Sequence, residues 1–493
     1  MQTLEPTSSQ AAFSMEEWRS GYRSQPQEYA YWIDDIEGEI PADLEGTLYR
    51  NGPGLLDING YPIRHPFDGD GMINSFAFKN GRAFYRNRFV RTEGYVAEQT
   101  AGKPLYRGVF GTQKPGGVLA NAFDLRLKNI ANTHIIYWGD RLLALWEAAE
   151  PHRLDPVTLE TIGLDFLGGQ LEPGDSFTAH PKVDPGHYGQ PRLVGFSVDT
   201  GVSSQLTLYE FDIAGELITQ HSHSLPGFAF LHDFALTPNY AIFFQNPVSF
   251  NPLGYLLGFH GAAQSLAFDP KAKTKVVLIP RNDRVSMQII ETDPCFVFHH
   301  SNAFEQDGQV VVDSICYSEF PSLKGGDDYK HVNFDEVPGG QLWRFTLDLA
   351  AQSARSDCLM SRSVEFPVLH PDRVGYAHRY SYIGAVHSPE GNAPLQAVLK
   401  KDWHTGEEQL ASFAPHGFGG EPVFIPRPGG MDEDDGWLML LVYDGTRRCS
   451  DLVIMDGQNI TREIARLKLK HHIPYGLHGS FAPVYFGPED GEA

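Results

Sequence analysis

The chain has 493 residues, of which 41% are hydrophobic, and a formal net charge of −23. This acidity argues against nucleic acid or anionic lipid headgroups as electrostatic partners, because phosphate binding requires clustered Lys and Arg. Four cysteines without a CxxC pair exclude a disulfide scaffold and a thiolate zinc site. The start of the chain lacks a signal-peptide pattern, and no run of about 18 apolar residues occurs, so we expect a cytoplasmic protein.

The predicted elements begin with a mobile arm over residues 1–25, within which residues 11–22 are a short helix candidate. Residues 26–493 are expected to form one domain. There, short apolar runs alternate with turns drawn from 50 glycines and 34 prolines, which is typical of β-strands with tight connections. The clearest predicted strands are 46–52, 141–147, 192–198, 206–213, 241–245, 309–317, 341–349 and 437–444.

A hairpin pattern recurs along the chain. A strand ends in Asp, a turn with Gly follows, and a second strand begins, as in residues 209–220, 398–410 and 453–460. Repeated hairpins over about 450 residues favour an all-β propeller, in which four-stranded blades surround a central channel. A large β-sandwich assembly is the alternative.

Among the 20 histidines, a small group lies in apolar, strand-like segments: His180, His232, His478, and one of His299 and His300. Taken singly, each is most simply a core histidine bonded to a backbone carbonyl. On separate propeller blades, however, such residues can converge on the axis, and imidazole suits iron, copper, zinc or nickel. Adjacent strand residues face opposite sides, so at most one of the pair at 299 and 300 points inward.

Six motifs together resemble the carotenoid cleavage oxygenase family over residues 27–481. The resemblance implies a seven-bladed β-propeller with a cap of loops and short helices over the active-site face, and one non-haem Fe(II) per subunit. Matched motif by motif, the implied iron ligands are His180, His232, His299 and His478. The motifs are GTLYRNGPG at 46–54, PFDGDGM at 66–72, FLHDFA at 230–235, FHHSNAFE at 298–305, EPVFIPRPG at 421–429 and PYGLHGSF at 474–481.

The same resemblance implies three outer glutamates, which are Glu147, Glu365 and Glu421. A metal-bound imidazole usually needs an acceptor that fixes its tautomer. Three carboxylates for four histidines leave one ligand, expected to be His180, without such a partner. Thr133 matches a residue whose methyl group crowds one vacant iron position. Without the resemblance, each glutamate would be read as an exposed carboxylate at a strand end.

The implied activity is cleavage of one C=C bond of an apocarotenoid by O2, expected at the 15,15′ bond, with retinal and a second aldehyde as products. Trp146 and Phe230 are predicted to line an aromatic tunnel, with core packing as the alternative. The apolar segments 225–230 and 252–259 are either buried under a loop or exposed as a peripheral membrane-docking patch. Two other functions stay open: a family enzyme acting on another carotenoid, a stilbene or a retinyl ester, and a propeller that binds hydrophobic ligands without redox chemistry.

Overall fold

The computed structural model describes residues 13–201, 203–282, 286–321 and 329–489. In these residues, seven sheets of four to six strands form the blades of a β-propeller, which confirms the predicted fold class. A separate hydrophobic core lies between each pair of neighbouring blades, so that seven cores close the ring. Each core forms because the strands present apolar side chains to both faces of their sheet.

We number the blades from 1 to 7 around the ring and give their strands from the axis outward. Blade 1 contains Gly479–Ala482, Gly46–Arg50, Met72–Lys79, Arg82–Phe89 and Ala30–Trp32. Blade 2 contains His134–Trp138, Arg141–Leu145, His152–Leu154 and Thr161–Leu164. Blade 3 contains Lys182–Asp184, Arg192–Asp199, Ser203–Phe211 and Leu217–Pro226. Blade 4 contains Ala235–Leu236, Tyr240–Gln245, Thr274–Pro280 and Gln288–Thr292.

The remaining blades follow the same antiparallel order. Blade 5 contains Phe296–Gln306, Gln309–Tyr317, Gln341–Asp348 and Ser353–Met360. Blade 6 contains Val364–Val368, Tyr380–Val386, Leu395–Asp402 and Glu408–Ser412. Blade 7 contains Gly417–Gly419 and Val423–Pro426, then Gly436–Asp444, Cys449–Asp456, Glu463–Lys468 and Ile36–Gly38. Each of the eight predicted strand segments therefore falls on an observed strand.

Blade 1 closes the ring by joining the two ends of the propeller. Its innermost strand, Gly479–Ala482, pairs antiparallel with Gly46–Arg50. At Gly479 an added Cβ would lie 2.2 Å from the carbonyl oxygen of Tyr49, so the close strand approach requires glycine there. Two of the sequence motifs thus meet at this closure.

A cap over the cavity is formed by some of the short elements that lie outside the blades. They are the two-stranded pairs Asp57–Ile58 with Tyr61–Pro62 and Val248–Phe250 with Leu266–Phe268, the α-helices Met15–Ser20, Glu93–Ala101, Gly117–Asn121 and Pro252–Leu256, and the 3₁₀ turns Pro66–Asp68, Ala263–Ser265, Tyr329–His331 and Pro371–Arg373. Among the described residues, no helix combines the length and apolarity needed to cross a bilayer.

The N-terminal segment is packed where the structure describes it. The helix Met15–Ser20 places Trp18 edge-on to Phe334 at 5.2 Å between ring centroids, and the Trp18 side chain is buried. The carbonyl of Trp18 also accepts a hydrogen bond of 3.0 Å from the hydroxyl of Tyr475. A mobile arm was predicted for residues 1–25; residues 13–25 pack as described above, and residues 1–12 lie outside the described part of the chain.

Candidate metal centre and substrate cavity

Four histidine side chains meet on the propeller axis. His478, His180 and His232 come one, two and three residues before the innermost strands of blades 1, 3 and 4, and His299 lies within the innermost strand of blade 5. The sequence suggested strand-like surroundings for all four, but three of them lie in the extended connections that enter a blade. Inner strands converge on the axis, which brings residues distant in sequence into contact.

The ring nitrogens have the spacing of ligands to a single ion. One nitrogen from each ring lies within 4.8 Å of the other three, and Nε2 of His180 is 3.0 Å from Nε2 of His232. Metal–imidazole bonds of about 2.1 Å place adjacent nitrogens roughly 3 Å apart and opposite ones roughly 4.2 Å apart. Nε2 of His299 is buried without a hydrogen-bond partner among the described residues, a vacancy that metal ligation would fill. The four residues therefore fit a first-row metal such as ferrous iron.

Three of the rings are fixed from behind by glutamates. Because Nδ1 of each ring donates to a carboxylate, Nε2 keeps its lone pair and faces the centre. The glutamates come from blades 2, 6 and 7, so each of the seven blades supplies one residue to the centre. The pairs, with their Nδ1-to-oxygen distances, are His232 with Glu147 at 2.9 Å, His299 with Glu365 at 2.6 Å and His478 with Glu421 at 2.8 Å.

The glutamates differ in what stabilises their charge. Glu421 also accepts from Nη1 of Arg50 at 2.5 Å, whereas Glu365 accepts from the hydroxyl of Tyr317 at 2.8 Å. Burial raises the pKa of Glu421, but the neighbouring His478 and Arg50 outweigh burial and hold that pKa at about 2. Burial also raises the pKa of Glu365, but His299, the backbone N–H of Phe366 and the hydroxyl of Tyr317 together outweigh burial and lower it. Both carboxyls therefore stay ionised at neutral pH and act as acceptors.

Thr133 contacts Glu147 at the cavity wall, whereas His180 has no glutamate partner. Thr133 lines the cavity, and its hydroxyl lies 3.4 Å from Glu147 and 3.1 Å from the side-chain oxygen of Asn132. His180 has no carboxylate hydrogen-bond partner among the described residues, as the count of three glutamates led us to expect. Its backbone N–H instead donates to the hydroxyl of Thr178 at 3.0 Å.

A fifth histidine, His134, lies beside the centre and was not singled out from the sequence. Its Nδ1 is 2.9 Å from the carbonyl oxygen of Ala179, and its Nε2 is 3.3 Å from that of Gly479. Those carbonyls precede His180 and follow His478. A neutral imidazole carries one N–H, so His134 donates to one of them, and the Ala179 carbonyl beside His180 is the nearer. Its ring lies 6.0 Å and 5.9 Å from the rings of these two histidines. The sequence gives little indication that His134 has this role, because His134 is only adjacent to Thr133.

The neighbouring histidines lie elsewhere. His300 points away from the axis, where its Nδ1 is 2.7 Å from the hydroxyl of Ser314, so alternation separates it from His299. His471 stacks on Tyr29 at 4.2 Å in the outer part of blade 1.

A cavity of about 640 Å³ runs from the histidines through the cap. Trp146 and Phe230, predicted as tunnel residues, both line it, together with Phe298 and Phe366. Phe366 has a φ of 57°, a strained conformation for a bulky residue, and its ring lies 5.6 Å from that of His299. The cavity is thus a largely apolar space with aromatic side chains beside the candidate metal centre.

The apolar surface of the cap differs from the two segments named from the sequence. In residues 225–230, Leu225 is buried in a core and Phe230 lines the cavity, so this segment is not an exposed patch. Residues 252–259 begin with the helix Pro252–Leu256, and here Leu253 and Phe259 are 62% and 58% exposed.

A neighbouring segment, residues 117–127, enlarges this apolar surface and was missed in the sequence. Leu119 is 94% exposed and Phe123 is 73% exposed. The backbone N–H of Phe123 donates to the carbonyl of Leu256 at 2.8 Å, which joins the two segments. The buried guanidinium of Arg107 reinforces this junction through the carbonyls of Asp124 and His260.

The seven blades supply four imidazoles and three carboxylates to one axial point, and an aromatic cavity lies beside that point. These features define a metal-binding propeller with a site for an apolar ligand. Residues 22–483 match the RPE65 family, described as retinal pigment epithelial membrane protein, and the chain belongs to this family of carotenoid cleavage oxygenases.

Similar proteins cover nearly the whole chain. The apocarotenoid-15,15′-oxygenase of Synechocystis is 55% identical over 98% of this chain and 100% of that protein. Carotenoid 9,10(9′,10′)-cleavage dioxygenase 1 of Phaseolus vulgaris is 29% identical over 90% of this chain and 85% of its own length. A crystal structure of cobalt-substituted Synechocystis ACO has a TM-score of 0.94 at 55% identity, covering 96% of this chain and 100% of that one.

Proposed function

We propose that the protein is a ferrous dioxygenase that cleaves the 15,15′ double bond of apocarotenoids to give retinal and a second aldehyde. The observation that carries the proposal is the meeting of four histidine nitrogens within 4.8 Å of one another at the end of the aromatic cavity. The 55% identity to a protein named apocarotenoid-15,15′-oxygenase supports this substrate class and bond.

One iron per chain would be held by Nε2 of His180, His232, His299 and His478. An all-imidazole donor set leaves the dipositive charge without an anionic ligand, which favours the ferrous state, and imidazole is a good ligand for iron. When bound, ferrous iron activates O2, whose two oxygen atoms become the carbonyl oxygens of the two products.

The residues of this chain orient the ligands and the substrate. Glu147, Glu365 and Glu421 hold three imidazole rings in one tautomer and one orientation. Trp146 and Phe230 supply flat apolar walls that fit a rigid polyene and exclude water from the reacting bond. Selection of one bond in a uniform polyene requires such a fixed insertion depth.

The exposed apolar surface of residues 117–127 and 252–259 supports contact with a membrane, where apolar polyenes dissolve. Phe259 both belongs to this surface and lines the cavity, so the surface adjoins an opening to the site. Since the chain carries a net charge of −23, docking would depend on apolar burial, not on attraction to anionic lipid.

A propeller that only binds hydrophobic ligands would have no use for four converging imidazoles and their three carboxylate partners. The test is to load the purified chain with Fe(II) under anaerobic conditions, add an apocarotenal and O2, and identify the aldehydes by mass spectrometry. We expect retinal from the iron-loaded protein and none from His299→Ala. An intact substrate after full iron loading, or aldehydes from another bond, would contradict the proposal.

A further inference from the structure

Arg50 connects two of the sequence motifs behind the metal centre. It ends the strand Gly46–Arg50 of blade 1, where it lies opposite Gly479 in the antiparallel pair. A Cβ atom at residue 479 would lie 2.6 Å from Cδ of Arg50, so glycine leaves room for the arginine side chain. That side chain is buried, with 5% of its surface exposed.

The guanidinium of Arg50 has two partners, and both lie beside the ligand His478. Its Nη1 donates to Oε2 of Glu421 at 2.5 Å, and Oε1 of the same carboxylate is 2.8 Å from Nδ1 of His478. Its Nη2 donates to the carbonyl of Leu477, directly before the ligand, at 2.9 Å. The rigid fork of one guanidinium therefore fixes both the acceptor behind the imidazole and the backbone that carries it.

Glu421 differs in charge from the other two outer glutamates. Among the residues that the structure describes, it is the one of the three that forms an ion pair with an arginine or a lysine. Glu147 and Glu365 are instead bonded to the neutral hydroxyls of a threonine at 3.4 Å and a tyrosine at 2.8 Å. A carboxylate behind a ligand imidazole increases the electron donation of that ring to the metal. A cation on the same carboxylate opposes this increase at His478.

We infer that Arg50 is a positioning residue that keeps the iron of the proposed centre ferrous. Its charge offsets the negative charge of Glu421 and limits the donation of His478, and both effects disfavour Fe(III) relative to Fe(II). The proposed cleavage requires this, because the electrons that reduce O2 all come from the C=C bond and none is supplied to restore ferric iron. The inference rests on the proposed function, since it concerns the metal that performs that reaction.

A purely structural role of Arg50 predicts a different result. Loss of the fork alone would loosen the ligand and weaken the binding of Fe(II) and Fe(III) alike, which leaves the midpoint potential unchanged. Loss of the charge changes the ratio of the two affinities, and a 10-fold change in that ratio is about 59 mV for a one-electron couple. Removing an outer partner of a metal ligand typically changes affinity by roughly 10- to 100-fold, so a change of about 10-fold is expected.

The experiment measures the midpoint potential of the iron-loaded full chain by a mediated redox titration that is followed by EPR of the ferric ion. The variants are Arg50→Met, Arg50→Lys, which keeps the charge without the fork, Glu421→Gln, and the double variant Arg50→Met/Glu421→Gln. Titration with Co(II) measures metal affinity separately.

Lys400→Met is the matched control, because it breaks an equally buried ion pair in the third strand of blade 6. The side chain of Lys400 is 4% exposed, and its Nζ lies 2.5 Å from the carboxylate of Asp434. The same Nζ donates to the carbonyl of Gln458 at 2.9 Å, so the control also loses one carboxylate and one carbonyl contact. It should lose stability but keep the wild-type potential.

Arg50→Met should lower the midpoint potential by about 59 mV. Glu421→Gln should raise the potential, because the cation then lacks its anion, and the double variant should return close to the wild-type value. Arg50→Lys should keep the wild-type potential but bind Co(II) several-fold more weakly, since an ammonium does not reproduce the fork. If Arg50→Met does not fold, the rise in Glu421→Gln and its absence in the double variant carry the test.

Unchanged potentials in the variants of Arg50 and Glu421, shifts of the same sign, or an equal shift in Lys400→Met would overturn the role of Arg50. The expected opposite shifts without aldehyde formation by the wild type would uphold that role and contradict the proposed dioxygenase function. Aldehyde formation with unshifted potentials would uphold the dioxygenase and remove Arg50 from the control of its iron.

Discussion

Replacing Glu421 by Gln removes the charge that pairs with a buried guanidinium. The side chain of Arg50 is 5% exposed, and its Nη1 lies 2.5 Å from the Glu421 carboxylate. An amide keeps the shape of the site but leaves the Arg50 charge without its anionic partner. The closest matched change is Glu365→Gln, because that carboxylate also bonds a ligand histidine but is supported by the neutral hydroxyl of Tyr317.

The structure sets the size of the effect. Breaking a buried ion pair by removing one partner costs about 3–5 kcal/mol of unfolding free energy. A pKa held at about 2, compared with an ordinary 4.5, corresponds to roughly 3 kcal/mol of stabilisation, supplied by His478 and Arg50 together. Because this pKa is depressed, the stabilisation is present above pH 4.5 and is lost as the pH falls towards 2. Glu365→Gln leaves no buried guanidinium without a partner and should cost about 1–3 kcal/mol.

Urea unfolding of the metal-free variants at pH 7, with a series at lower pH, measures both effects. Glu421→Gln should lose about 3–5 kcal/mol, and its remaining stability should depend less on pH between 4.5 and 2 than that of the wild type. Both variants should also bind metal about 10- to 100-fold more weakly. If Glu421→Gln unfolds like the wild type, or no more easily than Glu365→Gln, the proposed role of Arg50 is wrong.

Three further predictions concern the metal centre and the surface. His299→Ala should abolish iron retention measured by elemental analysis, and normal iron content would remove it from the ligand set. His134→Phe should weaken Co(II) binding in a spectroscopic titration about 10-fold by releasing the backbone beside a ligand histidine, whereas the matched change His404→Phe should leave binding unchanged. Leu119→Asp should reduce co-sedimentation with neutral phosphatidylcholine vesicles several-fold, because it places a charge on the exposed apolar surface. Met431→Asp, which alters an equally exposed apolar side chain elsewhere, is its control, and equal losses would contradict a specific docking surface.

Strand alternation and turn chemistry favoured a propeller over a β-sandwich assembly and separated the two adjacent histidines of blade 5, whereas the number of blades and the choice of His299 as the ligand were implied by the family motifs. Alternation decides that His299 and His300 face opposite sides, and the structure has the first at the axis and the second against Ser314. The convergence of the ligands was implied by the family motifs, since gaps of tens to hundreds of residues carry no local spacing signal. Physical reasoning on one residue at a time would have assigned each of them to a core.

Features that depend on tertiary contacts could not be read from the sequence. Arg50 reaches Glu421 across 371 residues, and His134 lies between carbonyls on two other blades. The exposure of Leu119 and Phe123 follows from how the cap packs, because polar residues interrupt residues 117–127 and hide the apolar surface. Residues 225–230 are equally apolar in sequence, but Leu225 is buried in a core and Phe230 lines the cavity.

The central claim is that four imidazoles bind one ferrous ion. X-ray absorption at the iron K-edge, recorded on anaerobically loaded protein of known iron content, tests it most directly. The structure predicts one iron per chain with four nitrogen neighbours at about 2.1 Å and the multiple-scattering signature of imidazole. Fewer than three imidazoles, or a first shell made mainly of carboxylate oxygen, would contradict it.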